Sequence, residues 1–185
     1  MTEPVTFCIV DIETNGSDPE DSEVIQLSLL LVEVDPETGR ALGPGCLSTQ
    51  QREPLSMSKA VQEKVGISLE SLRGAEFHEE ALWAVYSKAD YLVSHMREFD
   101  QHFLLPHLPD MASIPWLCIL QDIPWQDEFD AEKFTLDKLI ELTGGPVSNQ
   151  DTVSDCQAMA RLLDQPLAVS KRTGFSYLMD QGLKD

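Results

Sequence analysis

The sequence predicts an α/β domain with a mixed central sheet and flanking helices. Three observations carry that prediction. Residues 5–50 hold three strand-like runs joined by connections too short for a crossover, so they pair antiparallel. From about residue 58 onward, helical patterns alternate with short buried strands. Near the C-terminal end, Cys156, Met159, Ala160 and Leu163 follow the i, i+3, i+4, i+7 spacing of a helix with one buried stripe.

The elements follow in order. Val5 to Ile12 is an apolar run rich in β-branched and aromatic residues, the composition of a strand. Gly16-Ser17-Asp18-Pro19 is turn chemistry. A long strand, Val24 to Val34, ends at Asp35-Pro36-Glu37-Thr38-Gly39, a hairpin turn into a third strand near Gly45 to Gln50. Ser58 to Val65 and Ser68 to Leu72 read as short helices. Phe77, Ala81 and Val85 share one helical face, with Leu82 and Tyr86 beside them. Tyr91 to Val93 is a short buried strand, Glu98 to Leu105 a helix, and Trp116 to Leu120 another strand. Thr135 to Leu142 is a helix stopped by Gly144-Gly145-Pro146, and the last clear helix begins near Asp151. The tail from Gln165, residues 165–185, is weakly patterned and expected to be partly mobile.

The 185 residues suit one compact domain, which usually takes ~100–200, so residues 1–185 are expected to form a single unit. Lys plus Arg number 13 against 32 Asp plus Glu, a net charge of −19. Such a surface does not hold nucleic acid by non-specific phosphate attraction. If the chain acts on nucleic acid, bound metal is the obvious neutralising agent. The run MTEPVTFCIV has no basic stretch before its apolar part and is not a signal peptide. VIQLSLLLV and WLCIL are too short for a bilayer, which takes ~20 residues. No CxxC pair exists, and Cys8, Cys118 and Cys156 sit among apolar neighbours as buried thiols. A cytoplasmic protein with no membrane role is expected. No apolar patch can be assigned as exposed, so the sequence sets no oligomeric state.

Three places bear carboxylates that could carry chemistry. Asp11 and Glu13 end the first strand two residues apart, so they project from the same face. Carboxylates ~4 Å apart repel by about 1 kcal/mol in water and ~4 at a protein-like dielectric, unless a cation lies between them. Hard divalent ions accept such oxygen ligands. Asp100 lies in the first turn of the helix after the buried strand, with Phe99 and Phe103 expected to face the core. Asp155 lies early in the last helix, beside the apolar stripe. Taken singly, each has an ordinary explanation, such as an acid complementing a helix N-terminus.

Taken together they resemble a family. DIETNG at 11–16, EKVGISLESLRG at 63–74, YLVSHMREFD at 91–100 and QDTVSDC at 150–156 occur in the order found in the DEDD 3′–5′ exonucleases. These include the proofreading subunit of bacterial replicative polymerase, ribonuclease T and oligoribonuclease. The resemblance runs from about residue 5 to residue 163 and implies the ribonuclease-H-like exonuclease fold. It also implies that Asp11, Glu13, Asp100 and Asp155 hold two divalent ions, magnesium or manganese. Those ions activate a water and offset charge on the scissile phosphodiester. Thr14, Asn15 and Gly16 would approach the terminal nucleotide, with Gly16 leaving room for it, and His95 and Phe99 would lie beside the same site.

The sequence departs from the pattern at the base. The histidine branch of the family places a general-base His five residues before the last Asp, where this chain has Gln150. The tyrosine branch places Tyr four residues before it, where this chain has Asp151. A neutral amide does not take a proton near pH 7, whereas a histidine of pKa ~6.5 does. Met96 also stands where the family often has Asn after the second-motif histidine. The expected function is a metal-dependent exonuclease removing nucleotides from single-stranded DNA or RNA 3′ ends, attenuated by Gln150. Asp151 or another group could instead replace the base. The alternative is a weak or inactive exonuclease-fold module that binds nucleic acid, or a protein partner through its acidic surface.

Overall fold

The computed structural model describes residues 2–145 and 151–183. Its centre is strand β1 (Val5–Thr14), flanked antiparallel by β2 (Val24–Asp35) and parallel by β5 (Tyr91–Ser94). Outside β2, both β3 (Arg40–Ala41) and β4 (Cys46–Gln51) pair antiparallel; outside β5, β6 (Trp116–Cys118) pairs parallel. The sheet is mixed, in the order β3-β2-β1-β5-β6 with β4 also on β2, as the sequence predicts.

The expected third strand is β4, within one residue at each end, and the two-residue β3 before it was not foreseen. The break between the two falls at Leu42-Gly43-Pro44-Gly45. Gly45 has φ +79°, and a Cβ there would meet the Leu31 carbonyl at 2.6 Å, so the chain must kink before rejoining β2.

Alternating side chains give the sheet two packed faces. Phe7, Ile9, Leu30 and Val32 pack on one face against Met159 and Leu163 of α7 (Thr152–Asp164) and Phe175 and Leu178 of α8 (Gly174–Gly182). α6 (Leu136–Thr143) adds Leu139 there. Cys8, Val10, Leu27 and Leu29 face the other way. They meet Leu82 and Tyr86 of α2 (Glu79–Tyr86) and Phe103 and Leu104 of α3 (Arg97–Leu104). A third, smaller cluster joins Ile25 to Met57, Leu72 and Val65, the last residue of α1 (Lys59–Val65). The three cysteines expected to be buried are buried, and all four are free. Among the described residues, no helix is long and apolar enough to cross a membrane.

Four expectations need correction. Ser68 to Leu72 is a series of turns, because the Ser68 and Ser71 hydroxyls bond local backbone groups and compete with a helix. In α2 the buried pair is Leu82 and Tyr86; Ala81 is exposed and Phe77 precedes the helix. Strand β6 stops at Cys118, where the Asp122 carboxylate accepts the Cys118 N–H at 2.7 Å. The chain then turns into α4 (Ile119–Asp122), which is followed by α5 (Trp125–Glu128). The tail is structured as far as residue 183, where the described residues end. Thr173 caps α8 and donates to the Gly39 carbonyl at 2.8 Å, while Phe175 and Leu178 are fully buried. Phe175 and Leu178 are the large buried side chains of that helix, with Tyr177 and Met179 partly buried beside them and Gly174 packed closely on Leu163, so the periodic signal is faint.

Candidate active site

The chemistry sits where β1 leaves the sheet. Asp11 and Glu13 point to the α7 face, in register with Ser28 and Gln26 of β2. β5 runs parallel to β1, pairing Cys8 with Leu92 and Ile9 with Val93, so its end arrives beside Val10 and Asp11. The chain turns there into α3, which brings in Asp100 from the opposite layer; Asp100 is 5% exposed. On the other side, α7 is held onto β2 by hydroxyls. Thr152 and Ser28 lie 2.7 Å apart, Ser28 and Thr49 2.6 Å, and Thr49 donates to the Leu27 carbonyl. That first turn carries Asp155, one residue before the fully buried Cys156.

The four acids therefore converge, and their electrostatics record it. Burial pushes the Asp11 carboxyl far above the ordinary range, and the charges of Asp100, Asp155 and Glu13 push the same way. Glu13 is raised to about 7, first by burial and then by Asp155, while the Lys64 ammonium opposes the rise. Asp100 is raised to about 7 by burial, against stabilising hydrogen bonding from the Ser94 hydroxyl and its own backbone amide. The Ser94–Asp100 contact is loose. Ser94 Oγ is the buried side-chain oxygen that, among the described residues, completes no hydrogen bond of good geometry.

Crowded carboxylates with raised pKa values are a donor set suited to hard divalent cations. Among the described residues, no three acidic, His or Cys side chains already stand in a metal-holding arrangement. The residue types and their convergence fit a divalent ion, with Asp11 at the centre.

The remaining candidates divide. Thr14 Oγ1 donates to the Gly16 carbonyl at 2.5 Å. Asn15 spends its side chain on structure, accepting from Glu23 N–H at 2.6 Å and donating to the Ser56 carbonyl at 2.8 Å. Gly16 has its space filled from within the protein, because a Cβ there would collide with Ser22 Oγ. The His95 ring donates to the Phe134 carbonyl at 3.3 Å, and burial lowers its pKa. Phe99 is half-buried, with its ring 4.9 Å from that of Phe103, and so is less fully turned to the core than Phe103. Gln150 lies outside the described residues. Asp151 is the N-cap of α7: its carboxylate accepts from Val153 N–H at 3.1 Å, Ser154 N–H at 3.0 Å and the Ser154 hydroxyl at 2.8 Å. That carboxylate is committed to the helix cap. Lys64, beside Glu13, did not stand out in the sequence; its only signal was membership of the 63–74 segment.

A pH dependence follows from the raised carboxyls. In the metal-free protein the folded state keeps protons on Asp11, Glu13 and Asp100 that the unfolded chain releases near pH ~4. Stability is then fully present below the unfolded pKa and is lost as pH rises toward about 7. The melting temperature in EDTA is expected to fall between about pH 5 and about pH 8, and Asp100→Asn is expected to flatten that fall. Glu128, whose carboxyl is lowered by hydrogen bonds from Ser170 and Val169, acts only below this window. A parent profile that stays level across it would contradict the crowding.

The fold is that of the DEDD-type 3′-exonucleases, as the motifs implied. The Escherichia coli exonuclease I–single-stranded DNA complex in its zinc-bound form superimposes with a TM-score of 0.65 at 17% identity, over 86% of this chain and 40% of that one. The nuclease domain of 3′hExo, a DEDDh family member bound to rAMP, gives 0.63 at 17%, over 85% and 89%. Exonuclease X in complex with 5′ overhanging duplex DNA gives 0.62 at 16%, over 92% and 99%. Among curated proteins, the chain is similar to DNA polymerase III PolC-type of Thermotoga petrophila, 24% identical over 194 residues. The corresponding protein of Thermotoga maritima is 24% identical over 191 residues. This chain spans 13% of the length of each. No family model matches it.

Proposed function

We propose that the chain is a single-domain, metal-dependent 3′–5′ exonuclease acting on single-stranded nucleic-acid ends. The observation that carries this reading is the convergence of Asp11, Glu13, Asp100 and Asp155 on one strand end. In this reading those four carboxylates hold two magnesium or manganese ions. Bound there, the ions supply Lewis-acid activation of water and charge neutralisation at the phosphodiester. The chain's own groups do the rest. Loop Thr14-Asn15-Gly16, braced through Asn15 to Glu23 and Ser56, forms a rigid wall for the terminal nucleotide. Phe99 offers a half-buried ring on which a base can stack. His95, anchored to Phe134, orders the turn that delivers Asp100. The metal ions meet the phosphate, which reconciles an acidic chain with a polyanionic substrate. The free thiols suit a reducing, cytoplasmic setting.

Gln150, at the family's base position by spacing, is proposed to orient the water without taking its proton, which makes the enzyme slow. The test is a 5′-labelled oligonucleotide incubated with the protein and Mn²⁺. A ladder shortened from the 3′ end, and abolished by EDTA, is expected. An intact oligonucleotide at high protein concentration, with Mn²⁺ bound by calorimetry, would reject the enzyme in favour of a binding module.

A further inference from the structure

Three hydroxyls form a chain from the exposed rim of the sheet to the first turn of α7. Thr49 Oγ1 of β4 donates to the Leu27 carbonyl at 3.2 Å, and Ser28 Oγ of β2 lies 2.6 Å from Thr49 Oγ1. Thr152 Oγ1 lies 2.7 Å from Ser28 Oγ. A hydroxyl has one proton, so the bond to Leu27 orders the chain: Thr152 donates to Ser28, and Ser28 to Thr49. Ser28 and Thr152 are fully buried, where a broken hydrogen bond finds no water in exchange.

The chain ends where the acids meet. Ser28 is directly opposite Asp11 in the β1–β2 ladder, so the two share a face. Thr152 stands one helical turn before Asp155. On the other side of Asp155, Cys156 Sγ lies 3.7 Å from the Ile9 carbonyl and 3.6 Å from the Ser28 carbonyl. Asp155 is therefore held between two anchors, against the rung that carries Asp11. Packing of Met159 and Leu163 on the sheet has no preferred direction, whereas the hydroxyl chain does, and it sets the register of the first turn.

We propose that Ser28 and Thr152 are positioning residues that set the reach of Asp155 toward an ion held with Asp11. Each acts through the seat of α7 and not on the ion itself. The inference rests on the exonuclease reading and deepens it, by naming what aims one of the four carboxylates.

The test is Mn²⁺ affinity, read by electron paramagnetic resonance of the free ion. Parent, Thr152→Val, Thr152→Ser and Ser28→Ala proteins are compared, each also in an Asp155→Ala background. Groups that orient metal ligands typically govern ~10–100-fold in affinity. Thr152→Val and Ser28→Ala are each expected to weaken Mn²⁺ binding about tenfold, and Thr152→Ser, which keeps the hydroxyl, to bind like the parent. In the Asp155→Ala background the same changes are expected to have no further effect, because the ligand they aim is gone. Ser28→Ala breaks the chain from the sheet side and decides the matter if circular dichroism shows Thr152→Val to be unfolded. Parent-like affinity in either folded variant overturns the positioning role. So does an equal loss with and without Asp155, which marks general loosening, or a Thr152→Ser protein as weak as Thr152→Val. A parent that binds no Mn²⁺, or whose binding survives Asp11→Ala unchanged, overturns the exonuclease reading and this inference with it.

Discussion

Asp11→Ala is expected to lower the rate of 3′-end cleavage by at least about 10³-fold, because metal-borne charge stabilisation is worth several kcal/mol and each ~1.4 kcal/mol is a decade. Asp11 is the carboxylate that feels the other three, so its removal opens the centre of the cluster. Loss of activity through unfolding is separable. The parent Asp11 is held far above its ordinary pKa by burial and like charge, a cost that the variant does not bear. The metal-free variant should therefore melt no lower than the parent above about pH 7. Added Mn²⁺ should raise the parent's melting temperature by mass action on the folded state, by ~2.7 kcal/mol at one hundred times Kd, and raise the variant's much less. Equal metal responses in the two proteins would remove Asp11 from the site.

Gln150→His is expected to raise the single-turnover rate about tenfold or more, within the ~10²–10⁴ available to a positioned base. The substitution restores the histidine spacing, five residues before Asp155. Asp151, the nearest substitute in sequence, has its carboxylate occupied in capping α7, which leaves the base position for a histidine to fill. The variant's rate should also gain a titration near pH ~6.5 that the parent lacks. A rate that does not change would mean that another group already takes the proton, or that chemistry is not the slow step.

The site was legible where residue type and local period coincide. Asp11 and Glu13 share a face because β1 alternates, and their strand was plain from its β-branched run. The helix bearing Asp100 was bounded to within a residue, the helix bearing Asp155 begins within a residue of its expected start at Asp151, and α6 ends at Gly144 as predicted. What failed were elements whose anchors lie elsewhere in the chain. Strand β6 ends because Asp122 captures Cys118 N–H, and α8 exists because Leu163 and Gly39 receive it. Lys64 was invisible for the same reason: nothing in EKVG says that Val65 will be drawn into a pocket on Ile25.

By itself, the sequence determined the mixed sheet, its antiparallel opening and the strand and helices that carry Asp11, Glu13, Asp100 and Asp155, because these depend on residue type, turn chemistry and periods of two or 3.6. Only the tertiary structure decided that α3 and α7, from opposite layers, deliver Asp100 and Asp155 to the same strand end. It also decided which polar groups near them are spent on structure. The physical reason is that convergence is a property of packing between distant segments, and burial then turns ordinary acids into coupled ones by stripping the water that would screen them.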